Sequence, residues 1–136
     1  AGSDRYAVIL PVNDARRSEV YCAAYRVDGS VVAEDRVCPA EQILELARRL
    51  PDGDPMLAVG DAVEALRERL EGLGVEVPGP EDARHVVRGS AIARLAAAAS
   101  PVPVNDVVPN YIRPPDAKQS SRESWVAAIT GPAGSR

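Results

Sequence analysis

A chain of 136 residues with 46% apolar residues suits one domain with a single core, which excludes disorder of the chain as a whole. Its apolar residues are mostly Ala, Val and Leu, with one Trp and no Phe, so thin layers of sheet and helix fit better than a wide aromatic core. The net charge of −4, with arginines scattered among carboxylates, argues against a free-standing RNA binder, which needs a basic patch.

Tyr6 to Val12 is an apolar run that reads as a buried strand. Two β-rich runs follow, Val20–Val27 and Ser30–Val37, separated by Asp28-Gly29. Asp-Gly between such runs signals a hairpin, because both turn residues tolerate positive φ. A two-residue turn pairs Val27 with Ser30, Tyr25 with Val32 and Tyr21 with Arg36, leaving Val20, Ala24, Ala33 and Val37 on the opposite face. The front of the chain is therefore predicted to be a three-stranded antiparallel meander with helices on one face. That register sets Cys22 and Cys38 about three residues apart along the strands, at roughly 3.3 Å per residue. This exceeds disulfide reach, so two free thiols and a reducing cytoplasm are expected.

After Pro39 the period becomes helical. Ile43, Leu46, Ala47 and Leu50 form one stripe over Glu41–Leu50, and Pro51 to Pro55 breaks it. Met56–Val59 is a short strand ending at Gly60. Asp61 is suited to cap a helix striped by Val63, Leu66, Leu70 and Leu73 and closed by Gly74. Val75-Glu76-Val77 is a further short strand, and strand, helix, strand in succession suggests a parallel βαβ element. Pro78–Glu81 is a loop. Ala91–Ala99 is a helix with Ile92, Leu95, Ala96 and Ala99 facing inward, stopped by Pro101 and Pro103. Val108–Arg113 is extended, with the Tyr111 ring as a buried closing anchor. Residues 114–136 are polar and rich in small residues, so disorder is expected there, apart from one helical turn around Trp125.

Three short segments draw functional attention, each with a plain structural reading beside it. Asp14-Ala15-Arg16-Arg17-Ser18-Glu19-Val20-Tyr21 joins the first two strands. It reads as a charged turn held by Asp14, or as a place where Arg16 and Arg17 meet a phosphate or a partner carboxylate. Gly60-Asp61, at a strand end, reads as a tight turn with a cap, or as an anion cradle of backbone amides. Pro109-Asn110-Tyr111-Ile112-Arg113 reads as an extended closing segment. His85 is the sole histidine and reads as a surface residue, with no ligand cluster around it. Glu64, Glu68 and Glu71 share a helix with Arg67 and Arg69, an ordinary solvated face. Neither GxGxxG nor GxxxxGK[ST] occurs, no run of about 18 apolar residues could span a membrane, and no signal-peptide pattern is present.

Taken together and in this order, the three segments resemble the second subdomain of the TsaB (YeaZ) family. The loop after the first strand resembles that family's Asp-Ala-Arg-Arg-Gly-Glu-Val-Tyr. Val59-Gly60-Asp61 stands where it has Val-Gly-Asp-Gly, and Pro109-Asn110-Tyr111-Ile112-Arg113 resembles its closing Pro-Val-Tyr-Leu-Arg. Ser18 replaces a usual Gly and Ala62 another, which weakens a nucleotide-contact reading. The resemblance covers roughly residues 6–113.

It implies an α/β fold of the ribonuclease-H-like, actin-like (ASKHA) kind: an antiparallel meander plus parallel strands, with helices packed on the sheet. It also implies that residues 1–113 are a C-terminal subdomain whose N-terminal subdomain is absent. The opening Ala1-Gly2-Ser3-Asp4 agrees with a cut or tag-derived end.

Members of the family are non-catalytic partners of the TsaD subunit, and in bacteria also of the ATPase TsaE, in forming threonylcarbamoyladenosine at adenosine 37 of tRNA. The implied partners are thus a TsaD-like and a TsaE-like protein, with tRNA reached only indirectly, no membrane, and a homodimer left open. No cofactor is expected in this chain, since ATP and a metal belong to other subunits. The implied contact candidates are Asp14, Arg16, Arg17, Glu19, Gly60, Asp61 and Arg113, with no catalytic residue. The alternatives are half of an actin-like-fold kinase, which should show a Gly-rich adenosine stretch that is missing here, and a metallopeptidase-like protein.

Overall fold

Alternation along the first strand decides how the sheet faces. The computed structural model describes residues 5–50 and 53–113. In β1 (Val8–Asp14), Val8, Leu10 and Val12 project to one side and are fully buried. β2 (Glu19–Arg26) and β3 (Val31–Pro39) continue from it as an antiparallel meander. β4 (Met56–Val59) lies parallel to β1 on its other edge, and β5 (Val75–Glu76) lies parallel to β4. The sheet order is β3-β2-β1-β4-β5, a mixed α/β arrangement. The meander and the parallel extension both follow the expectation from sequence.

β1 starts two residues later than the apolar run suggested and reaches Asp14, because its ladder with β2 continues to Asp14 opposite Val20. Tyr6 is buried outside the ladder. The hairpin also differs. Gly29 N–H donates to the Arg26 carbonyl and Arg26 N–H to that of Ser30, so the loop has three residues, with Gly29 at φ 87°. This is the turn-plus-bulge hairpin, in which glycine takes the left-handed position. Further irregularity between Cys22 and Tyr25 moves the far end by one residue, so Tyr21 faces Val37 rather than Arg36. Val37 accordingly leaves the face shared by Val20 and Ala24, and Cys38 takes its place in the core.

The corrected register also changes the cysteine picture. Cys22 pairs with Arg36 and Cys38 with Val20, so the two thiols share a face and their buried sulfurs lie 3.4 Å apart, hydrogen-bonded as free thiols without a disulfide. The free thiols were anticipated; their separation was not. Burial, then the neighbouring Cys22, pushes the Cys38 thiol up to about 11.

α1 (Glu41–Arg49) buries Ile43, Leu44 and Ala47 against the Val8, Leu10 and Val12 side of the sheet. A tight helical turn at Glu64–Leu66 leads into the short α2 (Arg67–Glu71), and Val63, Leu66 and Leu70 complete that core. The helix begins later than Asp61 would cap. Ala62 N–H donates to the Val12 carbonyl across the end of β1, which ties residues 61–63 to the sheet. Gly74, at φ 77°, ends the segment as expected. α3 (Gly89–Ala98) begins two residues earlier than predicted, and none of its side chains is buried. Ile92 and Leu95 are 56% and 74% exposed, so the inward-facing stripe is corrected to an open one. The expectations for residues 114–136 and Trp125 lie outside the described residues.

Candidate functional site at the strand ends

The parallel strands β1 and β4 end side by side, and their chain ends face the same edge of the sheet. In open α/β sheets ligands bind outside the carboxyl ends of the strands. Asp14 closes β1, Glu19 opens β2, and Gly60-Asp61 follows β4. Asp14 N–H donates to Asp61 Oδ1 at 2.7 Å, so two of the three singled-out segments are joined directly. Asp61 therefore ties strand ends together rather than capping a helix.

Asp14 holds the turn as its sequence position suggested: its Oδ1 accepts from Arg16 N–H at 2.8 Å. Glu19 N–H then donates to the Arg16 carbonyl, and Ala15 N–H to that of Glu19. The turn is strained. Arg16, Arg17 and Ser18 all have positive φ, at 65°, 56° and 61°. Each costs roughly 1–2 kcal/mol for a residue with a Cβ. Three consecutive left-handed residues aim the loop outward. Arg16 lies almost wholly in solvent, 3.6 Å from Asp14 Oδ2.

Gly60 cannot be replaced at its position. A Cβ there would stand 2.2 Å from the Val12 carbonyl oxygen, and its φ is 126°. Its N–H donates to His85 Nδ1 at 3.2 Å, while His85 Nε2 lies 3.0 Å from the Gly79 carbonyl and 3.2 Å from that of Pro78. Since Nδ1 accepts, Nε2 carries the proton and donates. His85 is thus a half-buried brace between the ends of β4 and β5 rather than a surface residue. The amides of Gly60 and Ala62 are both spent inside the protein, so they form no anion cradle.

Arg67 was also underestimated. It donates to the Val77 carbonyl at 2.7 Å and the Pro78 carbonyl at 2.6 Å, and pairs with Glu64 and Glu71. The Arg67 guanidinium holds the Glu64 carboxyl below its ordinary range. Arg67 and His85 together fix the loop after β5. A helical charge pattern cannot reveal either role, because both depend on carbonyls from a distant segment.

The third segment arrives from the other side. Arg113 forms an ion pair with Glu19 and stands over the Tyr21 ring, and Asn110 reaches Asp35. The segment does lie against the sheet, but Tyr111 is 79% exposed and Ile112 is the half-buried residue. The closing contact is the arginine, not the aromatic anchor expected. The loop from Asp14 to Glu19 is therefore held at both ends, through Asp14 by Asp61 and through Glu19 by Arg113.

Beside the loop lies a depression of about 350 Å³, lined by Asp14, Ser18, Glu19, Glu41, Asp61 and Leu66 among others. Its four carboxylates would repel an entering phosphate, while Arg16 reaches out beyond it. No cluster of three or more metal-ligating side chains occurs among the described residues. No described helix is long and apolar enough to cross a membrane. No protein-family model matches the chain, and no curated protein does.

Proposed function

We propose that this chain is a TsaB-like subunit, a non-catalytic cytoplasmic partner of a TsaD-like threonylcarbamoyl transferase in modifying adenosine 37 of tRNA. Its fold would be one ribonuclease-H-like, actin-like subdomain. The observation that carries the reading is the convergence of the three segments on which the resemblance rests. They are distant in sequence, yet the loop from Asp14 to Glu19 contacts the Gly60-Asp61 segment on one side and Arg113 on the other. The sheet supports the reading too, since a three-stranded meander extended by parallel strands is what the resemblance implies.

In this role the strained loop presents the exposed Arg16 to a partner surface, and a partner carboxylate suits it better than a phosphate does. Guanidinium groups on a rigid loop pair well with carboxylates because less freedom is lost on binding. ATP and metal would be held by the other subunits.

The test is calorimetric titration of the chain with a purified TsaD-like subunit, with and without a TsaE-like ATPase. The reading expects binding, weakened about tenfold or more by Arg16→Glu with Arg17→Glu. It also expects no modified tRNA when the chain is incubated alone with tRNA and the threonylcarbamoyl adenylate. Absence of binding in every combination would contradict it. Phosphoryl transfer from ATP by the purified chain would replace it with the kinase reading.

A further inference from the structure

The chain has two cysteines, sixteen positions apart, and the fold brings their sulfurs into contact. Cys22 lies on β2 and Cys38 on the outer strand β3, as diagonal neighbours across the ladder. Diagonal neighbours ordinarily stand too far apart for a bond between sulfurs. The register irregularity that begins at Cys22 adds local twist, and twist draws one diagonal together. Both side chains belong to the core, with 5% and 4% of their surface exposed. A cysteine used only as a small apolar filler needs no second thiol beside it.

Two features give this contact a chemistry. The Arg36 guanidinium bonds to the Cys22 sulfur first and to Cys38 second, which raises it above its ordinary value. Arg36 itself is exposed, at the rim of the pair. A positive charge is thus in place beside the sulfur that carries negative charge during attack, the surrounding that marks a reactive thiol. Cys38 is the opposite case. Burial, then its Cys22 neighbour, pushes its thiol up to about 11, so it keeps its proton until late. The two sulfurs are thereby told apart, Cys22 to attack and Cys38 to resolve.

Access follows from the sheet order. β3 is an outer strand, so it can lift without disturbing β1 or β4. Local opening of this kind costs less than global unfolding, and it admits a small reagent to sulfurs that the closed sheet covers. The pair also adjoins the candidate site. Val20 faces Cys38 and Glu19 faces Pro39, while Glu19, Val20, Ala40 and Glu41 line the depression beside the loop. A bond between the sulfurs would clamp two walls of that depression together.

We propose that Cys22 and Cys38 form a reversible disulfide that clamps β3 to β2, with a low-molecular-weight disulfide as the oxidant. The Cys22 thiolate attacks one sulfur of the small disulfide, whose S–S bond breaks, and one small thiolate leaves and takes up a proton. Cys38 then gives its proton to water and attacks the Cys22 sulfur of the mixed disulfide. The second small thiolate is expelled and protonated in turn. The protein loses two electrons and two protons; the oxidant gains both and becomes two thiols. The product is uncharged, so it stays in the core at no cost of buried charge. In a reducing compartment such a bond is transient and senses redox conditions rather than holding the fold together. None of this depends on the partner reading of the loop.

Equilibration of the 136-residue chain with oxidised and reduced glutathione, acid quenching and intact mass measurement test this. Starting reduced, in about a tenfold excess of the oxidised form, the chain should lose the mass of two hydrogens. A non-reducing digest should then link the Cys22 and Cys38 peptides within one chain, and dithiothreitol should restore both thiols. Cys38→Ala should stop at the mixed disulfide of Cys22 with glutathione, because the resolving sulfur is gone. A second sample, oxidised in urea and refolded, approaches the same equilibrium from the other side, so slow access cannot pass for absence of the bond. Without reductant the oxidised chain should melt at a higher urea concentration than the reduced one, because the cross-link restrains the unfolded chain. Free thiols at equilibrium from both starting points, a stable mixed disulfide in the parent, or links between chains would each overturn the proposal. So would a lower urea midpoint for the oxidised chain, which would mean that the fold resists the bond.

Discussion

α1 and α3 are nearly the same length and both carry an apolar stripe at helical spacing, yet one is part of the core and the other buries none of its side chains. α1 lays Ile43, Leu44 and Ala47 on the sheet between Leu10 and Leu70. α3 keeps Ile92 and Leu95 in solvent. The difference lies in what each is tied to. α1 follows β3 directly and returns to β4, so its ends hold it over the sheet. α3 sits mid-way along a strap whose ends are pinned at Arg84 and Arg113, and among the described residues no hydrogen bond or ion pair ties its middle to the sheet. A stripe in sequence specifies a helix and a sticky face; only connection and register decide where that face is satisfied.

The sharpest way to break the comparison is paired truncation. Leu44→Ala should cost about 2–5 kcal/mol, the range for a buried leucine, whereas Leu95→Ala in the dilute chain should stay within about 0.5 kcal/mol. Urea melts of the two variants decide it, and equal losses would mean that α3 is packed. Next in size is Gly60→Ala. The added methyl meets a backbone carbonyl that cannot swing away, at a φ that side chains avoid, so a loss of about 2–4 kcal/mol is expected. A midpoint matching the parent would show that the β1 and β4 ends are not locked together.

A smaller effect, of opposite sign, should come from the loop. Ser18→Gly relieves one left-handed residue and should raise stability by about 0.5–1 kcal/mol. Loss of stability there would mean that the serine hydroxyl supports the turn.

The smallest effect is a titration. The Asp35 carboxylate, bonded to the Tyr25 hydroxyl, pushes that phenol up to about 12. A group raised in the folded state stabilises it below its unfolded value, about 10 for a phenol, and that contribution fades as pH rises towards 12. Ultraviolet titration should therefore show a late tyrosine component that Asp35→Asn shifts to lower pH and Tyr25→Phe removes. A curve unchanged by Asp35→Asn would place the cause elsewhere.

Much of the body could be read from residues alone, since strand alternation and the Asp28-Gly29 turn specify the meander. The loss of one residue of register came from the hairpin bulge and the irregularity at Cys22 to Tyr25, features that periodicity does not encode. That slip hid the contact between Cys22 and Cys38. At the candidate site, Asp14 as a turn holder was legible because its hydrogen bonds are local. The roles of Asp61, His85 and Arg67 were not, because each depends on a backbone group brought from another segment by the fold. Tyr111 misled because a lone aromatic between prolines suggests an anchor, while Arg113 two positions on supplies the contact through charge.

Hydrogen exchange on the dilute 136-residue chain tests the central claim most directly, namely that the body closes without α3. Amides of α1 and β1 should exchange only through global opening, while those of residues 89–98 should exchange orders of magnitude faster, close to an unfolded segment. Protection of α3 equal to that of α1 in a sample shown to be monomeric would contradict the account and place α3 inside the core.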